Sequence, residues 1–178
     1  PWTFTLLPDR ARVEVFARRI GTFFDKINRM AEKAWLRHLL RLCGKPALYN
    51  YYRDHYATVA EGLAAWRAGG RDRLFHGAPA VIVVAARRDA SCPAEDALLA
   101  TQNILLAAHT LGLGTCLIGF AVEAMRKDTS IAAALEFPAE ERPHAVIALG
   151  WPRKVENYHT LCGRLPVTVR RPDLTPLH

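Results

Sequence analysis

Several things are missing from this chain of 178 residues, and each absence removes a class of function. No apolar run is long enough to span a bilayer, and the start lacks the charged-then-apolar pattern of a secretory signal. The four cysteines, Cys43, Cys92, Cys116 and Cys162, are far apart, so no zinc-ribbon or iron–sulfur spacing exists. The seven histidines are equally scattered, and no metal site is expected. Reduced thiols and no membrane segment point to a soluble, cytoplasmic protein. There is no run of five or more positive residues, no basic motif with interleaved aromatics, no internal repeat and no low-complexity segment. The net charge of +7 is therefore dispersed; Arg far outnumbers Lys and Ala is abundant, the usage of a GC-rich genome, and a nucleic-acid partner is not expected. No nucleophilic triad or acid–base pair stands out.

What is present is a globular composition, 51% hydrophobic, sufficient for one domain with its own core. Trp2, Phe4 and Leu6 alternate with Thr3 and Thr5, the period of a strand with one buried face. A core strand opening at residue 1 leads us to expect an upstream piece. Pro8-Asp9 makes a turn and caps a helix over Ala11 to Ile20. A second helix is expected from Thr22 to Leu42, ended by Gly44-Lys-Pro46, and a third from Leu48 to Ala68, ended by Gly69-Gly70. Ala80 to Ala86 is a continuous apolar, β-branched run, the mark of a buried strand. Pro93, Glu95 and Asp96 open a helix that is apolar on nearly every side from Ala97 to Leu111, as a central buried helix would be, with Gly112 as its C′ residue. A short strand at Thr115 to Ile118, short helices near Val122 to Lys127 and Ile131 to Leu135, and a buried strand at His144 to Leu149 follow. The proline-rich segment after Arg153 has little periodicity and is expected to wrap over the domain or a partner subunit. The order argues an α+β fold, one sheet with helices around it.

The stretch with most chemical meaning is Gly112-Leu-Gly-Thr-Cys-Leu-Ile-Gly-Phe120. Its glycines allow close approach to the backbone, and its side chains offer no obvious catalyst, so it reads as a place where main-chain groups meet a cofactor. It is not a dinucleotide fingerprint: a third glycine is missing, and the glycines end a helix rather than open one.

In this stretch, together with Ala107-Ala-His-Thr-Leu111 before it, the chain resembles the FMN-dependent nitroreductases. Three further blocks carry the resemblance: Pro1-Trp2-Thr3-Phe4; Gly77-Ala-Pro79 leading into Ala80 to Ala86; and Pro143 to Pro152 with Tyr158-His159 and Arg164 to Pro166. The region from Asp9 to Arg73 carries none of it. The resemblance implies a single domain over 1–178 with a central mixed sheet flanked by helices, a long buried helix and an extended C-terminal tail. It implies FMN as cofactor, bound by Pro1, Thr115, Cys116, Leu117, Ile118, Gly119 and Arg164. The backbone N–H groups around Ile118 and Gly119 would face flavin N5, and Arg164 would meet the phosphate. The implied reaction passes electrons from NAD(P)H through flavin to a small acceptor such as a quinone or nitroaromatic, in a homodimer. Two departures count. The family's Arg-x-Ser-x-Arg phosphate motif is absent, and the tail has Thr160 and Leu165 where related sequences carry Arg and Lys. They leave open the alternative of a flavin-binding or regulatory protein without turnover. Cys116 is read as a small buried thiol or a reactive one, and Tyr49, Tyr51, Tyr52, Tyr56 and Trp66 as a packing face or the wall of a substrate pocket.

Overall fold

In the computed structural model, residues 2–70 and 72–152 are described. The alternating first segment forms β1 (Trp2–Leu7), but the buried face expected of it is not found among the described residues: Trp2, Phe4 and Leu6 are exposed, and of this strand only Leu7 is buried. The Asp9 side chain accepts the Arg12 N–H to start α1 (Arg10–Glu32). Gly21 does not interrupt α1; a Cβ there would lie 3.6 Å from Leu63 Cδ2, so the glycine lets a neighbouring helix sit close. The break comes instead at Lys33, in extended conformation, and α2 (Ala34–Leu42) follows. The expected third helix is likewise two, α3 (Ala47–Asp54) and α4 (Tyr56–Gly69), interrupted at His55. Neither break carries Gly or Pro, so local sequence gave no signal for it. Gly70, at φ 67°, ends α4 as expected.

The remaining elements are β2 (Ala80–Arg87), α5 (Pro93–Thr110), β3 (Gly114–Leu117), α6 (Gly119–Lys127), α7 (Thr129–Ala133) and β4 (Glu141–Gly150). The four strands lie in the order β1-β2-β4-β3. Every pairing among the described residues is antiparallel, whereas a mixed sheet was expected. The helical crossover from β2 to β3 does link strands of the same direction, but β4 lies between them, so the parallel relation never becomes a hydrogen-bonded pair.

Two cores flank the sheet. One face packs Val81, Val83, Val146 and Ala148 against Val13, Phe16, Ile20 and Phe24 of α1 and Ala121, Val122 and Met125 of α6. The other packs Val84, Ala86, Ala145 and Ile147 against Ala97 of α5. The expectation of a helix buried all round needs correction. Of α5 only Ala97, Thr101 and Ala108 are buried, while Leu98, Leu99 and Leu106 stand out by 53%, 66% and 55%. One sheet can cover only one face of a helix, and within the described residues nothing lies on the other.

The segment entering β2 is set by Asp72. Its nearly buried carboxylate accepts the N–H groups of Leu74, Phe75 and Gly77 and the Arg10 guanidinium at 2.9 Å. At the other end of β2, Ala85 pairs with Pro143 and Val84 with Ala145, which leaves His144 as the extra residue of a bulge.

Candidate functional site: the β3–α6 turn

The end of α5 fixes where the Gly112–Phe120 stretch begins. Gly112 sits at φ 73°, its N–H bonds the His109 carbonyl at 3.0 Å, and the Leu113 N–H reaches back to Ala108 at 2.9 Å. This is a Schellman closure, and it needs the left-handed residue that glycine supplies. The chain then enters β3, an edge strand among the described residues, paired to β4 only.

The Ile118 N–H bonds the Val146 carbonyl at 2.8 Å. In an antiparallel ladder the bonded pairs alternate, so Cys116 and Gly114 point their main-chain groups at β4 while Thr115 and Leu117 turn theirs outward. The Ile118 N–H is therefore not the free donor expected of it. The open donors are one step on: Gly119 and Phe120 begin α6, and their N–H groups have no partner among the described residues. No acidic side chain occupies the first turn of α6. Two N–H groups and the positive end of a helix dipole are thus left without a partner among the described residues. A Cβ on Gly119 would meet nothing within 4 Å.

Of the other expected residues, Thr115 is half-buried, Leu117 is 54% exposed, and the Ile118 side chain is buried in the core below the turn. Cys116 is exposed, which corrects the reading of a small buried thiol; on a short edge strand no neighbour among the described residues covers it. Pro1 and Arg164 lie outside the described residues. The structure thus brings Thr115, Cys116, Leu117, Ile118 and Gly119 into one strand-to-helix turn and adds Phe120. The signal for Phe120 was available: a helix starting directly after Ile118 leaves its first N–H groups unpaired.

Aromatic rings back this turn. Phe120 meets Phe24 edge-to-face at 5.4 Å and His55 at 5.7 Å; Phe24 stacks with Tyr51 at 6.3 Å, and Tyr51 lies 6.2 Å from His55. The Tyr51 hydroxyl donates to the buried Asn28 at 2.6 Å, and burial pushes its pKa up to about 12, so it remains a neutral donor. Tyr51 and Trp66 pack against the core, while Tyr49 and Tyr52 carry the guanidinium groups of Arg41 and Arg37 over their faces. For these residues the structure shows packing.

Across the sheet, β1 and α5 enclose an apolar groove of about 440 Å³ lined by Trp2, Phe4, Leu99, Asn103 and Ile104. Asn103 and Gln102 are exposed; the buried polar residue of α5 is Thr101, satisfied by the Ala97 carbonyl at 2.8 Å. No group of metal-ligating side chains forms among the described residues. Among the described residues no helix is long and apolar enough to cross a membrane.

The FMN implied by the sequence finds suitable groups in this turn. Outward main-chain groups, unpartnered N–H donors and a glycine with free space above it match a flat ring that gains negative charge when reduced.

Comparison with known proteins bears on the family and the fold. The sequence model described as the nitroreductase family matches residues 1–151. No curated protein matches the chain. A nitroreductase with bound FMN from Desulfitobacterium hafniense is similar over 99% of this chain and 76% of its own, at 18% identity and a TM-score of 0.54. One from Bacteroides fragilis, also with bound FMN, is similar over 99% and 75%, at 17% identity and 0.51. The FMN-dependent nitroreductase NfnB from Mycobacterium smegmatis, in complex with NADPH, is similar over 86% and 69%, at 15% identity and 0.50. At such identities the likeness concerns the fold.

Proposed function

The chain belongs to the nitroreductase family, and on that premise we propose that it is an FMN-dependent oxidoreductase that passes electrons from NAD(P)H to a quinone, a nitroaromatic or a related small acceptor. The observation that carries this reading is the pair of N–H groups at Gly119 and Phe120 that have no partner among the described residues, at the start of a helix and beside an outward-facing strand edge. Bound there, FMN would supply the hydride and electron chemistry for which the side chains offer no substitute.

The residues of this chain do the rest. The N–H groups of Gly119 and Phe120 would hold the ring edge on which negative charge grows, and the α6 dipole would add to them. Thr115 and Leu117 offer main-chain donors and acceptors along the β3 edge, where the exposed Cys116 lies between them. Pro1 and Arg164 are assigned to the cofactor by resemblance alone, Arg164 to the phosphate. The NADPH held by the Mycobacterium smegmatis enzyme supports a reduced nicotinamide as donor, and use of such a donor fits a cytoplasmic enzyme.

A homodimer is part of the same reading. The exposed leucines of α5 and the exposed Trp2, Phe4 and Leu6 of β1 present more apolar surface than an isolated domain leaves in water. The test is anaerobic mixing of the FMN-loaded protein with NADPH and NADH. Bleaching of the flavin absorbance, reversed by a quinone, is expected; bound flavin that stays oxidised with both donors would favour a binding protein without turnover.

A further inference from the structure

Four rings close a circuit beside the β3–α6 turn, Phe24 to Phe120 to His55 to Tyr51 and back to Phe24. Three of them are accounted for by packing. Phe24 is buried, Tyr51 spends its hydroxyl on Asn28, and Phe120 is held edge-on between its neighbours. His55 is different. It is exposed, and neither of its ring nitrogens takes part in a hydrogen bond among the described residues. The adjacent Asp54 carboxylate makes no hydrogen bond to it; both its oxygens accept from Arg53, at 2.7 and 2.8 Å.

The backbone that carries His55 is also unusual. It sits in the break between α3 and α4, at φ −132° and ψ −24°. Its N–H bonds the Tyr51 carbonyl at 2.9 Å and its own carbonyl receives the Val59 N–H at 3.0 Å. The chain is thus pinned on both sides, and the ring is pinned against Phe120. The edge-to-face contact with Phe120 does not by itself call for an imidazole, since an apolar ring could make it too. Its placement puts a polar edge next to the residue whose N–H, with that of Gly119, forms the open donor pair.

We propose that His55 is a specificity-determining residue of the acceptor site, donating an imidazole N–H hydrogen bond to the oxygen of a planar aromatic acceptor such as a nitroarene or a quinone. The inference rests on the proposed function. The acceptor's ring lies against the exposed edge of Phe120, and its oxygen turns to His55. An aromatic molecule of the same shape without that oxygen gains the apolar contact only. The two parts of the contact therefore separate in an experiment.

The test uses the full chain loaded with FMN, oxidised and without reductant, so that nothing turns over. Nitrobenzene and toluene are titrated against the flavin absorbance, in the native protein and in His55→Phe and His55→Gln. The native protein is expected to prefer nitrobenzene by about five- to tenfold, the scale of one net hydrogen bond. His55→Phe abolishes that preference while toluene binding and FMN affinity stay as they were, and His55→Gln, which keeps an N–H donor, retains part of it. Native preference in His55→Phe, or equal weakening of both ligands, overturns the proposal and leaves His55 as packing. FMN content reports separately on the larger reading: a native protein that takes up no FMN sinks the proposed function, and this inference with it.

Discussion

Replacing Gly119 by valine separates what the fold requires at that position from what the cofactor requires. Gly119 is the first residue of α6, and a Cβ built there meets nothing within 4 Å. Its φ lies outside the left-handed region, so no backbone strain follows from adding a side chain. Within a helix, glycine is worse than alanine by roughly 0.5–1 kcal/mol, and β-branching returns part of that gain. The unfolding free energy of Gly119→Val should therefore change by no more than about 1 kcal/mol, a shift of about 2–4 °C in Tm for a domain of this size. Cofactor binding should behave otherwise. Three added carbons would occupy the space assigned to the ring. Overpacking costs about 1–3 kcal/mol, and a displaced ring also loses hydrogen bonds worth about 1.5–3 kcal/mol each where charge is involved. A sum near 3 kcal/mol raises the Kd for FMN by about two orders of magnitude. Flavin fluorescence titration and urea unfolding of the same samples check both halves. Unchanged FMN affinity would show that the flavin does not lie against Gly119, and a large loss of stability would show that the space above it is not free.

Three further outcomes are expected. Asp72→Ala strips the partner from Arg10 and from three backbone N–H groups in a nearly buried site, so it should cost about 3–5 kcal/mol in denaturant unfolding, and a cost under about 1 kcal/mol would refute the capping role. Burial first, then Arg126 and Arg142, lowers the His144 pKa below its ordinary 6.5, and its Nε2 has no partner among the described residues. The unfolded chain then binds the extra proton more readily, so this contribution to stability is full above about 6.5 and is lost as the pH falls toward the folded-state value; His144→Gln should flatten that part of a stability–pH profile. Leu99→Asp puts a charge on the exposed face of α5 and should shift the protein toward monomer in light scattering without changing monomer stability, and an unaltered dimer would remove that face from the interface.

Strong local rules made much of this fold legible in advance. The alternation in Trp2–Leu7, the β-branched run of β2, and the Gly112 and Gly70 helix ends each follow from a period or a backbone preference that few residues decide. The breaks at Lys33 and His55 were not legible. They arise where helices fold back on one another, through contacts such as Arg37 with the Ala31 carbonyl and His55 with Phe120, which no local pattern announces. The burial of α5 was misjudged because composition tells how apolar a helix is and not how much of it a single chain can cover. At the site, the spacing of glycines located the turn correctly, but which N–H groups remain free depends on pairing to β4, a strand nearly thirty residues on. That pairing took Ile118 out of the donor set, and the start of α6 directly after it brought Phe120 in.

The most direct test of the account is reconstitution with FMN followed by gel filtration and a visible absorption spectrum of the protein peak. The account predicts flavin bands that co-elute with the protein, about one FMN per chain, and that weaken in Gly119→Val. A colourless peak after saturation with FMN, from protein that is folded by circular dichroism, would contradict it.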